Sequence, residues 1–484
     1  MAGILSFGAY VPRLRLQRAA MAQATAWFNP GLAGLAKGER ALASWDEDTI
    51  TMAVEAGRDC LTGLDRNTVG RVILGSTTLP FADRQNAGVV KEALNLSDDV
   101  GVLDVAGSQR AGASALLVAL EAAGSRRSTL CIASERRLAR PASEAEFING
   151  DASAALLVGE ADGCARFLGS HTLSVDFIDH FRAADDAHDY EWESRWIRDE
   201  GYKKILPAAI TDALDRLGLA AADVDHLIIP LPMAGVDRAV AAAVGIAAGA
   251  LCSPLRDTLG YAGAAHPLVL LASVLETARP GALILVTAFG QGCDVLAFRV
   301  TEQIVEARAG LGVSGWLARG QAESNYVKYL SFTGEVALDG GMRAEINVKT
   351  PFSMMYRDRK TILGLVGGRC RETGTVQYPK STVSVSQNAR MVDTQDDYPL
   401  AELPARVVSA TADRLAFIPD PPACYGLVEF EGGGRLPADF TDAGPDGLQV
   451  GQAVRMVLRL KRTDAVGFKH YFWKAAPDPR AVAN

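Results

Sequence analysis

Short apolar runs alternate with longer helical patterns over the first 300 residues. Runs of strand length occur at 72–75, 101–105, 130–133 and 154–158. Residues 111 to 123 are almost continuously apolar, which is typical of a helix that is buried on every side. Strands that alternate with helices predict a mostly parallel sheet with helices packed on it.

One of these units recurs further along the chain. The helical pattern at 116–123 and the strand pattern at 129–134 are followed, roughly 155 residues later, by a similar pair at 268–278 and 283–288. Each pair precedes a glycine-containing loop, at 150–151 and at 290–292, and another strand pattern. The spacing favours a duplicated α/β unit, although two unrelated strand–helix units would also look alike.

The pattern changes after residue 300. Residues 301 to 325 are mixed, and β-type runs then dominate, at 345–348, 406–408, 424–430 and 454–460. Clusters of glycine and proline separate these runs. Short strands with turn residues between them predict a small all-β barrel or sandwich that begins near residue 325.

Composition and charge narrow the classes of function. The 484 residues carry a net charge of −8 and a pI near 5.4, which argues against nucleic-acid binding. No apolar run has the length of a membrane span, and the N-terminus lacks the pattern of a signal peptide. Seven scattered cysteines fit a reducing compartment. We therefore predict a cytoplasmic protein that binds neither nucleic acid nor a membrane.

Several motifs carry a family resemblance, in order along residues 1–300. They are FGAYVP at 7–12, GERA at 38–41, DEDTITMA at 46–53, GDASAA at 150–155, GYAGAA at 260–265 and FGQG at 289–292. Together they resemble the hydroxymethylglutaryl-CoA synthase branch of the thiolase superfamily. The resemblance implies an α/β fold of five layers, αβαβα, with duplicated halves at 1–165 and 166–300, a linker at 301–325, and a homodimer.

The remaining residues, 326–484, resemble the DUF35-type OB-fold domain that accompanies thiolase-like enzymes. That family has a zinc ribbon with two cysteine pairs before the barrel. Here Cys370 has Thr373 where its partner belongs, and Ser384-Val385-Ser386 stands in place of the second pair. Since a structural zinc site needs four nitrogen or sulfur ligands, we expect a degenerate ribbon without metal.

The resemblance places the catalytic positions of the family on unusual residues. The nucleophilic cysteine at the start of the buried helix falls on Gln109, which cannot form an acyl-enzyme but can donate hydrogen bonds to a thioester or enolate oxygen. Ser108 beside it is either a nucleophile or a helix N-cap. The family histidine falls within 230–231, its asparagine on Tyr261, and the synthase glutamate within 75–78, where there is no carboxylate. The standard cysteine mechanism is therefore not expected.

Other residues are candidates for acid–base chemistry. His266, at a loop-to-helix junction, is either a base or a core histidine. Asp179 and His180 form a possible acid–base pair, as does Glu191 with Glu193, and the alternative for both is a solvated charged segment.

A further set is predicted to bind substrate. Thr78 and Arg84 follow a strand, and the guanidinium could hold a carboxylate or a CoA phosphate, or pair with an acid. The Gly290–Gly292 loop could offer N–H donors to a thioester, and Cys293 is either a relocated thiol or a strand-interior residue.

These observations favour an acyl-CoA-dependent enzyme that forms or cleaves a carbon–carbon bond beside a thioester or ketone, with coenzyme A bound as thioester or acceptor. Retro-Claisen, acyl-transfer and retro-aldol reactions all fit a site without cysteine. Two alternatives stay open. One is a non-catalytic partner subunit in a hetero-complex with a thiolase-like homologue, and the other is a decarboxylase of 3-oxoacyl thioesters.

Overall fold

The computed structural model describes residues 2–124, 127–161, 163–307, 310–386 and 391–480. The chain forms two compact units. The first consists of Met1–Ser44, Asp48–Gly88 and Ser97–Glu335, and the second of Trp45–Glu47, Val89–Leu96 and Val336–Asn484.

The first unit is built on a large sheet. Its strands are β1 (Gly3–Tyr10), β2 (Leu14–Gln17), β3 (Glu39–Leu42), β4 (Val69–Gly75), β5 (Gly101–Val105), β6 (Ser128–Glu135), β7 (Ala152–Gly159), β8 (Ala165–Ser174), β9 (His180–Phe181), β10 (Tyr190–Glu191), β11 (His226–Ile228), β12 (Leu283–Phe289), β13 (Gly292–Val300) and β14 (Gln321–Glu323). Nine of them join in the order β11-β12-β13-β8-β1-β7-β6-β4-β5.

The strand order repeats across the middle of this sheet. Outward from β1 the order is β1-β7-β6-β4-β5, and outward from β8 it is β8-β13-β12-β11. In each half the first strand therefore neighbours the last, and the next two strands follow in the same sequence. The halves meet where Gly3 and Ile4 of β1 pair with Arg166 and Ala165 of β8. This repeat is the duplication that the sequence pattern favoured.

The sheet is mixed, and the prediction of a mostly parallel sheet was wrong. Parallel pairing occurs at β11–β12, β4–β6 and β4–β5, whereas the other five pairs are antiparallel. The reason is visible between β12 and β13, which only Gly290 and Gln291 connect. A two-residue connection can join only antiparallel strands.

The helices pack on and around the strands. They are α1 (Arg18–Thr25), α2 (Thr49–Cys60), α3 (Asn86–Ala93), α4 (Ala111–Glu121), α5 (Glu144–Ile148), α6 (Ser194–Trp196), α7 (Lys203–Leu217), α8 (Val236–Ala243), α9 (His266–Leu275), α10 (Gly312–Ala318), α11 (Tyr326–Thr333), α12 (Phe352–Arg357) and α13 (Arg359–Leu363). Helix α4 is the predicted apolar helix. Its Gly112 lies so close to the turn before α9 that an added Cβ would meet the Ala264 carbonyl oxygen at 2.2 Å. None of the described helices is long and apolar enough to cross a membrane.

Residues 301–335 belong to the first unit, which corrects the predicted linker and the boundary near 325. Strand β14 pairs with β2, and the Trp316 ring of α10 lies 4.7 Å from that of Tyr10. Tyr329 of α11 is buried in a cluster with Met21 and Phe147. Burial of these aromatic side chains fixes the segment in place.

The second unit is mostly antiparallel sheet, as predicted. Its strands are β15 (Val366–Cys370), β16 (Val376–Gln377), β17 (Gln395–Pro399), β18 (Ala405–Asp413), β19 (Ala423–Phe430), β20 (Arg435–Asp439), β21 (Ala453–Thr463) and β22 (Lys469–Pro477), in sheets ordered β16-β15-β17 and β20-β19-β18-β21-β22. The strand expected at 345–348 is absent from the described residues, because this segment is largely exposed and pairs with no strand there. Cys370 is buried, with its Sγ 3.1 Å from Thr394 Oγ1.

Candidate active site

A cavity of about 160 Å³ lies in the first unit where the residues just before α4 face the β9–β10 hairpin. The side chains that line it come from both halves of the duplicated fold. They include Gln109, Arg137, Glu144, Asn149, Asp179, His180, Glu191, Tyr202, Leu231, Met233, Tyr261 and Phe289. The cavity therefore combines an apolar wall with a concentrated set of polar groups, as ligand sites do.

Asp179 and His180 form a hydrogen-bonded dyad in this cavity. Asp179 Oδ1 accepts hydrogen bonds of 2.9 Å from both the backbone N–H and Nδ1 of His180. Asp179 is buried, so its carboxylate is held firmly against the ring. A proton on Nδ1 leaves the lone pair on Nε2, which lies 3.4 Å from Gln109 Nε2. This arrangement orients His180 Nε2 as a proton acceptor.

Gln109 stands next to that acceptor. It is 5% exposed and directly precedes Arg110, the N-cap of α4. Its Oε1 atom is buried without a hydrogen-bond partner among the described residues. A buried amide with unused bonding capacity costs free energy unless a ligand or water satisfies it. The position at the start of the buried helix agrees with the prediction from the sequence.

Arg137 is a cavity residue that the sequence analysis missed. It follows β6, and its Nε donates a 3.1 Å hydrogen bond to Asp189 Oδ2, which Nη2 also contacts. Asp189 also forms an ion pair with Arg182, whose Nη1 lies 3.1 Å from Asp189 Oδ1. Burial by itself lowers the pKa of the Arg137 guanidinium. The nearby acidic groups outweigh this effect and raise the pKa, and they are Asp189, Tyr261 and Glu135. Only its position directly after an apolar strand could have indicated a site residue.

Tyr261 and Glu191 complete the polar lining. Burial raises the pKa of Tyr261, so its hydroxyl stays protonated and is available as a hydrogen-bond donor. Glu191 lies opposite His180 in the β9–β10 ladder, and its side chain lines the cavity. Desolvation raises the pKa of the Glu191 carboxyl, against the opposing effects of Arg137 and His180.

Two predicted reactive residues have structural positions instead. His266 does not line the cavity, because its Nδ1 accepts the Ala262 N–H at 3.2 Å and its Nε2 contacts the Pro254 carbonyl oxygen at 3.1 Å. Burial lowers the pKa of His266 to about 4. Cys293 is fully buried inside β13, and burial raises the pKa of its thiol. These surroundings favour the core-histidine and strand-interior alternatives.

The loop at Gly290 braces the start of α4 and does not present N–H donors to the cavity. Gly290 N–H bonds to the Gly292 carbonyl, while its own carbonyl accepts from Ser108 Oγ at 3.2 Å and Arg110 Nε at 2.7 Å. Ser108 Oγ also accepts the Arg110 N–H, so it supports the helix start although Arg110 is the N-cap.

Thr78 and Arg84 also lie outside the cavity lining. Thr78 Oγ1 accepts the Arg136 N–H at 3.0 Å, which ties the end of β4 to that of β6. The Arg84 guanidinium lies 4.6 Å from the centre of the Phe81 ring. The strand end before them was predicted correctly, but the chain turns these two side chains elsewhere.

Known proteins resemble both parts of the chain. Residues 399–459 match the family model of the ChsH2 C-terminal OB-fold domain. The hydroxymethylglutaryl-CoA synthase of Thermococcus gammatolerans is 29% identical over 308 residues, covering 62% of this chain and 86% of that synthase. That of Aeropyrum pernix is 28% identical over 345 residues, covering 70% and 95%. This chain is thus similar to hydroxymethylglutaryl-CoA synthases and carries a C-terminal OB-fold domain.

Solved structures share the fold of this synthase-like chain. MvaS in complex with 3-hydroxy-3-methylglutaryl coenzyme A superposes with a TM-score of 0.59 at 20% identity, covering 68% of this chain and 91% of MvaS. The 3-oxoacyl-(acyl carrier protein) synthase III FabH of Pseudomonas aeruginosa PAO1 gives 0.56 at 19% identity, covering 62% and 98%. The thiolase-like α/β fold and the OB-fold domain expected from the sequence are thereby confirmed.

Proposed function

We propose that this chain is an enzyme that acts on acyl-CoA thioesters and forms or breaks a carbon–carbon bond next to the thioester or a ketone, without a cysteine nucleophile. The observation that carries the proposal is a row of three side chains in contact in the cavity. Asp179 bonds to Nδ1 of His180, and Nε2 of His180 lies beside the amide of Gln109. The related synthases and the MvaS complex with a CoA thioester support the substrate class.

The row suits retro-aldol cleavage of a 3-hydroxyacyl thioester. His180 Nε2 takes the proton of the 3-hydroxyl, the bond between C2 and C3 breaks, and C3 becomes a carbonyl carbon. The electron pair passes to the enolate of the thioester, whose oxygen accepts a hydrogen bond from Gln109 Nε2. His180 then returns the proton to C2, and the reverse sequence forms the bond.

Other groups assist this reaction. The protonated Tyr261 hydroxyl is suited to stabilise negative charge on the 3-oxygen. Asp179 fixes the tautomer of His180 and stabilises the imidazolium that forms. Coenzyme A enters and leaves as part of the substrate, and no metal takes part in the proposed steps. A homodimer and a cytoplasmic location stay predictions.

The test is proton exchange at C2 together with turnover. Purified chain is incubated in D₂O with propionyl-CoA and separately with 3-hydroxyacyl-CoA and 3-oxoacyl-CoA, and products are followed by mass spectrometry. We expect deuterium at C2 and cleavage of at least one β-oxygenated thioester. His180→Gln should lower both rates by about 10²–10⁴-fold, the usual contribution of a general base.

A histidine outside the site provides the matched control. His226 on β11 does not line the cavity, and His226→Gln should retain wild-type rates. Absence of exchange and turnover in the wild type would contradict the proposal. Carbon dioxide release from a malonyl or 3-oxo thioester would favour the decarboxylase alternative. Stoichiometric capture of a cysteine-bearing homologue by an inactive chain would favour the partner subunit.

A further inference from the structure

A second depression lies beside the cavity, in the same unit. Its volume is about 280 Å³, and it shares Asp179 and His180 with the polar cavity. The rest of its lining is aromatic or aliphatic, namely Ile178, Phe181, Tyr190, Trp192 and Trp196. We call these five residues the aromatic groove.

The β9–β10 hairpin separates the polar and the aromatic side chains. Its ladder pairs His180 with Glu191 and Phe181 with Tyr190. Directly opposed residues point to the same face of a ladder, and consecutive residues point to opposite faces. One face therefore carries the polar pair, and the other carries two aromatic rings whose centres lie 5.4 Å apart.

The groove is exposed but firmly supported. Its members are 36–55% exposed, an unusual density of large apolar side chains in contact with water. Trp196 stacks on the buried Phe177 ring, with centres 4.2 Å apart and planes at 10°. Phe177 in turn contacts Phe289 of the cavity wall, at 6.1 Å between ring centres. Apolar side chains that are held open in this way favour a ligand that covers them.

We propose that the aromatic groove holds the part of the acyl group beyond the reacting carbon, and that the substrates are thioesters of acyl groups with a flat apolar ring. The occupant follows from continuity, since His180 lies in both depressions. A substrate whose reacting carbon is next to His180 Nε2 can extend its acyl tail directly into the groove. Aromatic walls favour flat rings over short chains, because rings stack and bury more area. This inference rests on the proposed function for the position of the thioester.

The test measures binding without turnover. Two thioesters that lack a 3-oxygen, 3-phenylpropionyl-CoA and butyryl-CoA, are titrated into the full chain by isothermal calorimetry. We expect the phenyl probe to bind at least about tenfold more tightly. Trp192→Ala should abolish most of that difference and leave butyryl-CoA binding unchanged, while Trp192→Phe should keep most of it. Trp27→Ala is the matched control, because Trp27 is 84% exposed and does not line the groove.

Each outcome of these titrations supports or overturns a specific part of the inference. Equal affinity for the two probes would overturn the inference, as would an equal loss for both in Trp192→Ala, which would assign the groove to the coenzyme A moiety. Binding of neither probe would overturn the inference together with the thioester proposal. A preserved preference for the phenyl probe, without turnover of 3-hydroxy-3-phenylpropionyl-CoA, would contradict the proposed function alone.

Discussion

At the scale of single residues, the proposed reaction does not depend on any cysteine. No cysteine is among the residues that line the described cavity, and Cys60, Cys131 and Cys293 are fully or almost fully buried. Burial raises the pKa of these thiols and raises that of Cys252 to about 12, so little thiolate forms at neutral pH.

We therefore predict that iodoacetamide at neutral pH leaves turnover of the native chain within about twofold of the untreated rate. Peptide mass mapping, with the denatured protein as the fully alkylated control, identifies the modified thiols. Inactivation that acyl-CoA prevents, together with one modified cysteine, would contradict the mechanism.

A second prediction concerns Glu146, a fully buried carboxyl in the first unit. Desolvation raises its pKa, although it accepts hydrogen bonds from the Ala142 N–H and the Tyr326 hydroxyl. The pKa of Glu146 is thus higher in the folded chain than in the unfolded chain. The contribution of Glu146 to stability is therefore complete at acidic pH and is lost as the pH rises through the folded-state pKa. Glu146→Gln should become steadily more stable relative to wild type between about pH 4 and pH 7.

Denaturant unfolding at several pH values measures this difference. Glu144→Gln on the same helix is the control, because the Glu144 side chain is exposed to solvent and its replacement should change stability little. A difference for Glu146→Gln that falls with rising pH would show that the carboxylate form is the stabilising one.

Sequence and structure agree on the site only in part, for a physical reason. Gln109 was predictable because it precedes a helix that the apolar pattern marks clearly, and Asp179 and His180 are neighbours in the chain. Arg137 was missed, since its partner Asp189 is 52 residues away and only folding brings them together. The sequence left His266 open between a base and a core histidine, because no sequence pattern shows that two backbone groups contact both ring nitrogens.

At the scale of elements, α4 positions the site through a close backbone approach. An added Cβ at Gly112 would meet the Ala264 carbonyl oxygen at 2.2 Å and Ala133 Cβ at 2.8 Å. Because backbone atoms cannot move aside easily, Gly112→Ala must displace α4 and Gln109 with it. We predict a loss of about 3 kcal/mol or more in unfolding free energy, and a loss of turnover in the fraction that folds.

Gly124 is the matched control for this prediction, because it is exposed after α4 and a Cβ there would have no neighbour within 4 Å among the described residues. Gly124→Ala should be neutral or slightly stabilising. Chemical denaturation and steady-state kinetics compare the two variants. Wild-type stability in Gly112→Ala would show that the helix can shift without cost.

Helices and strands were predicted well where the apolar pattern was long. They were predicted poorly where the result depended on strand direction or on a neighbouring strand. The pattern located β4, β6, β7 and α4 because most residues of each are buried. It could not give strand direction, which depends on connections such as the two residues between β12 and β13. The run at 345–348 resembles a strand, but β-propensity without a neighbouring strand does not make one.

At the scale of the whole molecule, the two-unit organisation followed from the change of pattern after residue 300, but the boundary did not. Residues 301–325 were predicted to be a linker because their pattern is mixed, yet Trp316 buries a large ring in the first unit, and so does Tyr329 shortly after the segment. A few buried aromatic side chains are enough to hold such a segment in the first unit. The average composition of the segment does not reveal them.

The edge of the nine-stranded sheet leads to a prediction about assembly. Strand β5 ends the sheet, pairing with β4 on one side, and its Leu103 is 40% exposed. An exposed edge strand with an apolar side chain favours pairing with a second copy. We predict that light scattering gives the wild type twice the 51.2 kDa chain mass.

Leu103→Lys should give the monomer mass, because a charge on the edge opposes strand pairing. Leu64→Lys is the control and should stay dimeric, since Leu64 is a similarly exposed leucine in a turn. A monomeric wild type, or a dimer that tolerates Leu103→Lys, would exclude this edge as the interface.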